Sequence, residues 1–312
     1  MSRKIHRSQG LAPVFAEIHV EDEGPLQKVE VTFAVDPAVE QLAVALYMDG
    51  SESMRQSGSY GRKRAFFFIE LGQQRNAVEE AMRIMVPYLA QKDADGQVHV
   101  AYWATGAQGK EIQPLGELTA EQAAAYEFDG PETHGSGTHL LPAVRSFVSY
   151  IRELQGKQEV RAALGAFITD GQIHDFDQVI AYTQELARQI EARNFPRTTL
   201  VLVGVGPDID HEQMEQLAEV ELVGYTGREI WCCEEAESVD DLPGLVAHLL
   251  DTKTPAFWGG AVVKDEQGRT LQAWEDMVPA VFEIELPRDA RAFTLKVGEQ
   301  QFTQRIDIEE EH

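Results

Sequence analysis

The sequence predicts an α/β fold: a doubly wound, mostly parallel sheet covered by helices, with a small discontinuous antiparallel β module built from the two chain ends. Two observations carry this reading. Through the middle of the chain, short runs apolar on both faces alternate with segments of helical period, the pattern of parallel strands buried under helices. At both ends, apolar residues instead alternate with polar ones, as in antiparallel strands with one wet face.

Taken in order, VFAEIHV and KVEVTFAV open the chain, with Val29, Val31, Phe33 and Val35 at period two. Central strands are expected at 43–48 (AVALYM), 97–103, 162–169 (AALGAFIT), 198–205 (TTLVLVGV) and 228–233 (REIWCC). Helices are expected at 75–91, 139–151, 176–191 and 239–251. In the second, Leu141, Val144, Phe147, Val148 and Ile151 recur at three- and four-residue steps; Val179, Thr183, Leu186, Ala187 and Ile190 do so in the third. After the TKTP break, AVFEIEL, AFTLKV and FTQRIDI alternate again. Neither end has enough strands to be stable alone. A doubly wound sheet brings residues near 40 and near 252 to the same side, opposite the strand carboxyl ends, so the flanks are expected to meet there. The expected organisation is residues 1–38 and 256–312 as the β module around a domain of 39–255.

Composition narrows the function. The chain has 312 residues, 43% of them hydrophobic, enough for a substantial core. It carries 27 basic against 52 acidic residues, a net charge of −25. That balance excludes nucleic acid as the main partner, since phosphate binding needs a basic surface. It suits attraction of cations or basic partners. The start, MSRKIHRSQG, is basic but is followed by no apolar stretch of an export signal. No apolar run approaches the roughly 20 residues of a membrane span. The two cysteines, Cys232 and Cys233, are adjacent and read as buried strand residues of a reduced protein, with a vicinal redox pair as the alternative. The expectation is a cytoplasmic protein.

In open α/β sheets, functional groups gather at the carboxyl ends of strands. Asp49 in LYMDG and Asp170 in FITDG both lie there. An Asp-Gly pair alone reads as a turn. Ser51 and Ser53 follow Asp49 at spacings of two and four; helix capping or turn stabilisation is their structural alternative. Thr138, in GSGTHLLPAV, would by itself read as the N-cap of the helix it precedes. Together these are three hydroxyls and two carboxylates from three loops at one sheet edge. An all-oxygen set suits a hard cation, Mg²⁺ before Mn²⁺ or Ca²⁺. If the hydroxyls bind directly and the carboxylates act through water, the ion stays under-neutralised, and a carboxylate from another molecule is its natural remaining ligand.

DGSES at 49–53, Thr138 in GSGTH and Asp170 in ITDG resemble the Asp-x-Ser-x-Ser, Thr and Asp elements of the metal-ion-dependent adhesion site (MIDAS) of von Willebrand factor A domains. The resemblance covers about residues 39 to 252. It implies a Rossmann-like sheet with one antiparallel edge strand, and binding rather than catalysis. It further implies Ser51, Ser53 and Thr138 as hydroxyl ligands, with Asp49 and Asp170 holding coordinating waters. Within the family the chain is similar to bacterial intracellular members of tellurite-resistance (Ter) and related stress systems. The function expected is a divalent-metal-dependent protein-interaction module whose partner donates an Asp or Glu to the ion, with oligomeric state open.

Other signals are weighed against this. A phosphoryl-transfer hydrolase using Asp49 as nucleophile would want an acid two positions on, where Ser51 stands. Arg62, Lys63 and Arg64 form a basic island that could guide an acidic partner, although a solvated loop explains them. Phe66 to Phe68 read as core or helix anchoring. His139 and His174 could line the binding face, although packing at a helix start accounts for each. Gly204 and Gly206 lack a third glycine at position 209, so no dinucleotide fingerprint is supported.

Overall fold

The computed structural model describes residues 2–5, 10–34, 41–61, 63–66, 69–73, 75–223, 229–253, 255–275 and 277–307. The chain divides into two compact units, Met1–Asp36 with His248–His312, and Pro37–Ala247. Strands β1 (Ser2–Ile5), β2 (Phe15–Glu23) and β3 (Leu26–Phe33) come first. The larger unit then runs through β4 (Leu42–Asp49), helix α1 (Glu52–Gln56), strands β5 (Lys63–Phe66) and β6 (Ile69–Gln73), and α2 (Ala77–Ala90). Next come β7 (Gln97–Thr105), β8 (Glu111–Thr119), α3 (Ala120–Ala125), α4 (Leu140–Gln155) and β9 (Ala162–Thr169). It ends with α5 (Phe176–Glu191), β10 (Arg197–Val205), α6 (His211–Ala218) and β11 (Trp231–Ala236). After α7 (Leu242–Lys253) follow β12 (Pro255–Trp258), β13 (Ala261–Asp265), β14 (Thr270–Trp274) and β15 (Met277–Pro279). Strands β16 (Val281–Pro287), β17 (Ala292–Val297) and β18 (Gln300–Arg305) close the series.

The larger unit holds a six-stranded sheet of order β11-β10-β9-β4-β7-β8. Its pairings are parallel except at one edge, where β8 runs antiparallel to β7. Every residue of β4 and β9 is buried, because these central strands are covered on both faces. On one face Tyr47 and Phe167 stack at 5.0 Å and join Val144, Phe147 and Leu186 from α4 and α5 in one core. Each such side chain contributes ~1.5–3 kcal/mol on burial. The expected fold class is therefore the observed one.

The smaller unit is a two-sheet sandwich. One sheet has the order β1-β2-β3-β16, the other β14-β13-β17-β18, all antiparallel, with a short β12–β15 ribbon beside them. The β3–β16 ladder, from Leu26↔Pro287 to Thr32↔Val281, joins the two chain ends. Phe15 against Phe293 (5.7 Å) and Trp274 against Phe282 (5.0 Å) link one sheet to the other across a shared core. Period-two burial, clearest in β3 and β16, follows from this one-sided packing.

Several local expectations change. Strand β8 left no apolar pattern because it is an edge strand, mostly half-exposed and interrupted by Pro114 and Gly116. Helix α6 buries only Met214 and Leu217, too few to mark a period. The expected strand at 228–233 is found three residues on, as β11, with Arg228 outside the described residues. There Cys232 and Cys233 are half-buried on an edge strand rather than fully buried. Where a solvated loop was expected at the basic island, β5 and β6 pair as a hairpin. Arg62, Phe67 and Phe68, and the readings placed on them, lie outside the described residues.

Candidate metal centre

Strand register brings the two Asp-Gly ends together. The β4–β9 ladder pairs Met48 with Ile168, which sets Asp49 beside Thr169 and one step from Asp170. A second backbone link delivers the third loop: Ser51 bridges Gly135 in parallel, the Glu52 amide donates to the Gly135 carbonyl (2.8 Å), and the Gly135 amide donates to Gly50 (3.3 Å). Gly135 has to be glycine, since a Cβ there would strike the Ala104 carbonyl. Thus Asp49, Ser51, Ser53, Thr138 and Asp170 all belong to one cluster of strand-end loops.

The side chains connect in sequence. Ser51 and Ser53 hydroxyls lie 2.9 Å apart, and Ser53 donates to Asp170 Oδ1 at 2.7 Å. Asp49, fully buried, accepts from the Ser51 amide (2.6 Å) and the Thr169 hydroxyl (2.7 Å). Tyr60 donates to the Asp49 carbonyl, holding the turn from behind. Thr138 joins through Gly171: a Cβ on that glycine would lie 3.9 Å from Thr138 Oγ1 and 4.0 Å from Ser53 Oγ. Both hydroxyls therefore lie within 4.0 Å of one point beside Gly171.

Helix capping does not account for these hydroxyls. Ser51 stands at the N-cap of α1 but makes no side-chain cap bond. The N-cap of α4 is His139, not Thr138, and it too makes no side-chain cap bond. The first amides of α4, on Leu140 and Leu141, are instead bound by the Asp175 carboxylate at 2.8 and 3.1 Å. Asp175 thereby supplies the acceptor that an N-cap normally provides, leaving Thr138 Oγ1 uncommitted to the helix.

The two histidines have distinct places. Thr138 donates its amide to His174 Nδ1 (3.1 Å) and accepts the His174 amide at its carbonyl (2.9 Å). His174 therefore clamps the Thr138 backbone. His139 packs edge-on against it, ring centroids 5.6 Å apart.

Electrostatically the cluster is acidic. Burial, and secondarily the Asp170 charge, push Asp49 up to about 7 against hydrogen bonds from Thr169 and Ser51. Asp170 is also raised, chiefly by burial and secondarily by Asp208, while its bond from Ser53 opposes this. Among the described residues no lysine or arginine pairs with either carboxylate. Two carboxylates and three hydroxyls fit a hard divalent cation. Among the described residues, no group of three or more His, Cys, Asp and Glu side chains could hold a metal, so a softer site of zinc type has no counterpart.

Sequence reasoning passed over Thr169, Tyr60 and Asp175. Thr169 adjoins Asp170 and was legible as part of the same strand end. Tyr60 and Asp175 act through tertiary placement that no local pattern signals.

No family model matches the sequence, and no curated protein matches it. Solved structures do show similarity. The pilus adhesin SpaC from Lactobacillus rhamnosus GG, in an open conformation, shares 10% identity over 92% of this chain and 46% of its own, with a TM-score of 0.45. The chain thus spans about half the length of that protein. The manganese-loaded Plasmodium vivax TRAP protein shares 14% identity over 85% of this chain and 98% of its own (TM-score 0.44). A D319A mutant of the PilB minor pilin from Streptococcus sanguinis shares 10% over 74% and 76%, respectively (TM-score 0.40).

Proposed function

We propose that this chain is a von Willebrand factor A-type interaction module that binds a partner's Asp or Glu through a divalent ion, Mg²⁺ in the first instance. The observation that carries the reading is that Ser51 and Thr138 sit at helix starts yet cap neither helix, while Ser51, Ser53 and Asp170 form a chain of contacts at the mouth of buried Asp49. Ser51, Ser53 and Thr138 would hold the ion, with Asp49 and Asp170 supplying charge behind it. The ion would supply an electrophile for an incoming carboxylate. The chain's own part is positional: Asp175 and His174 fix Thr138, and Tyr60 and Thr169 fix Asp49. The hydroxyl at Ser51, where a phosphoryl-transfer acid would stand, favours binding over catalysis. The reducing interior of a bacterial cell, as in tellurite-resistance and related stress systems, is the setting we infer, and the absence of a disulfide at Cys232 and Cys233 is compatible with it.

The test is capture of partners from a cell extract by the full chain, in Mg²⁺ and in EDTA, with Ser53→Ala in parallel. Partners retained only with Mg²⁺, and lost from the variant, are the expected result. An identical set in EDTA would overturn the reading.

A further inference from the structure

Helix α4 carries a second feature toward its other end. Between α4 and the β7–β8 edge lies a cavity of about 350 Å³, within the range of small-molecule sites. Tyr150 lines it, ten residues beyond the helix start at Leu140, roughly 15 Å along the axis at 1.5 Å per residue. Its aromatic side is made by His99 and Tyr150, stacked with ring centroids 4.4 Å apart and 22° between planes. Glu117 lines it from β8 and Glu153 from α4.

The parts are held in place. The Tyr150 ring is seated by its stack on His99, which in turn meets Tyr47 from β4 at 5.8 Å between ring centroids. Gly116, opposite Val100 in the ladder, has φ +109 and open space where a Cβ would stand, so the strand leaves the cavity clear. Lys157 is the one lysine or arginine among the lining residues. Burial holds His99 down at about 4, so its ring is neutral at physiological pH. Tyr150 and Glu153 also lie in the last turns of α4, where the helix dipole presents its negative end. Two carboxylates, a tyrosine face and a helix C-terminus all favour positive charge.

We propose that this cavity binds the ammonium or guanidinium end of an aliphatic cation, either a free small molecule or a lysine or arginine side chain of a partner. Glu117 and Glu153 would accept its N–H donors, and the Tyr150 ring would take the cation or its alkyl stem by cation–π and apolar contact. The proposal stands apart from the metal centre, so the experiment is run in EDTA.

The full chain is titrated calorimetrically with agmatine, with N-acetyl-arginine amide, and with N-acetyl-citrulline amide as the uncharged control. Saturable binding of at least one guanidinium probe is expected, with citrulline at least about tenfold weaker. Glu117→Gln and Glu153→Gln should each weaken binding about tenfold. Both positions are exposed, so thermal unfolding of these variants should match the wild type and separate binding loss from misfolding. Tighter binding of agmatine assigns the site to a free cation; tighter binding of the amide assigns it to a partner side chain. Equal binding of citrulline, wild-type binding by both variants, or no saturable binding of either guanidinium probe would overturn the proposal.

Discussion

Asp49 and Asp93 sit at opposite ends of β4, both buried, and only one of them is explained by the fold. Asp93 accepts the Val44 amide at 2.7 Å and the Asp95 amide at 2.9 Å, so both its oxygens secure backbone at the base of the strand. Burial pushes it up to about 8. Asp49, pushed up to about 7, also takes two hydrogen bonds, but its surroundings differ. Beyond it stand a second carboxylate, Asp170, and hydroxyls that cap neither helix. A buried acid that organises amides is a structural staple. A buried acid that faces another acid across a row of hydroxyls is the arrangement a cation would neutralise.

The largest expected effect follows from that contrast. Asp49→Ala should abolish saturable Mg²⁺ binding in calorimetry, and Asp93→Ala should leave it unchanged; equal losses would erase the distinction. Next in size, Asp93→Ala should lower the unfolding free energy by ~1–3 kcal/mol for each amide left unpaired, as read by urea denaturation. Unchanged stability would show that Asp93 is no staple. Thr138→Val should weaken Mg²⁺ binding by about tenfold while stability stays within about 0.5 kcal/mol, because no helix cap is lost. A stability loss of ~1 kcal/mol with intact metal binding would return Thr138 to a capping role.

The last effect is read in the pH dependence of stability. His99 is held near 4 by burial, below its ordinary 6.5. The unfolded chain therefore binds more protons in that interval. The stability His99 contributes is full above about 6.5 and is lost as pH falls toward about 4. In His99→Gln that acid limb should flatten when urea midpoints are compared between pH 7 and pH 4.5. Parallel slopes for wild type and variant would contradict this.

What the sequence could disclose followed from how far each signal reaches along the chain. β4 and β9 were legible because burial on both faces forces an unbroken apolar run. The terminal strands were legible because one-sided packing forces alternation. β8 escaped because an exposed edge imposes neither pattern. At the candidate site, Asp49, Ser51, Ser53, Thr138 and Asp170 carried a spaced pattern that could be read directly. Asp175 could not, since its task of binding the amides of α4 arises only when a loop 34 residues away in sequence returns to that helix. Its effect is nevertheless central, because it frees the Thr138 hydroxyl.

The most direct measurement is anomalous diffraction from crystals of the full chain soaked in Mn²⁺. The account predicts a single strong peak at coordination distance, roughly 2–2.5 Å, from the hydroxyl oxygens of Ser51, Ser53 and Thr138. A crystal with no peak there, or with its ion bound by other residues, would contradict it.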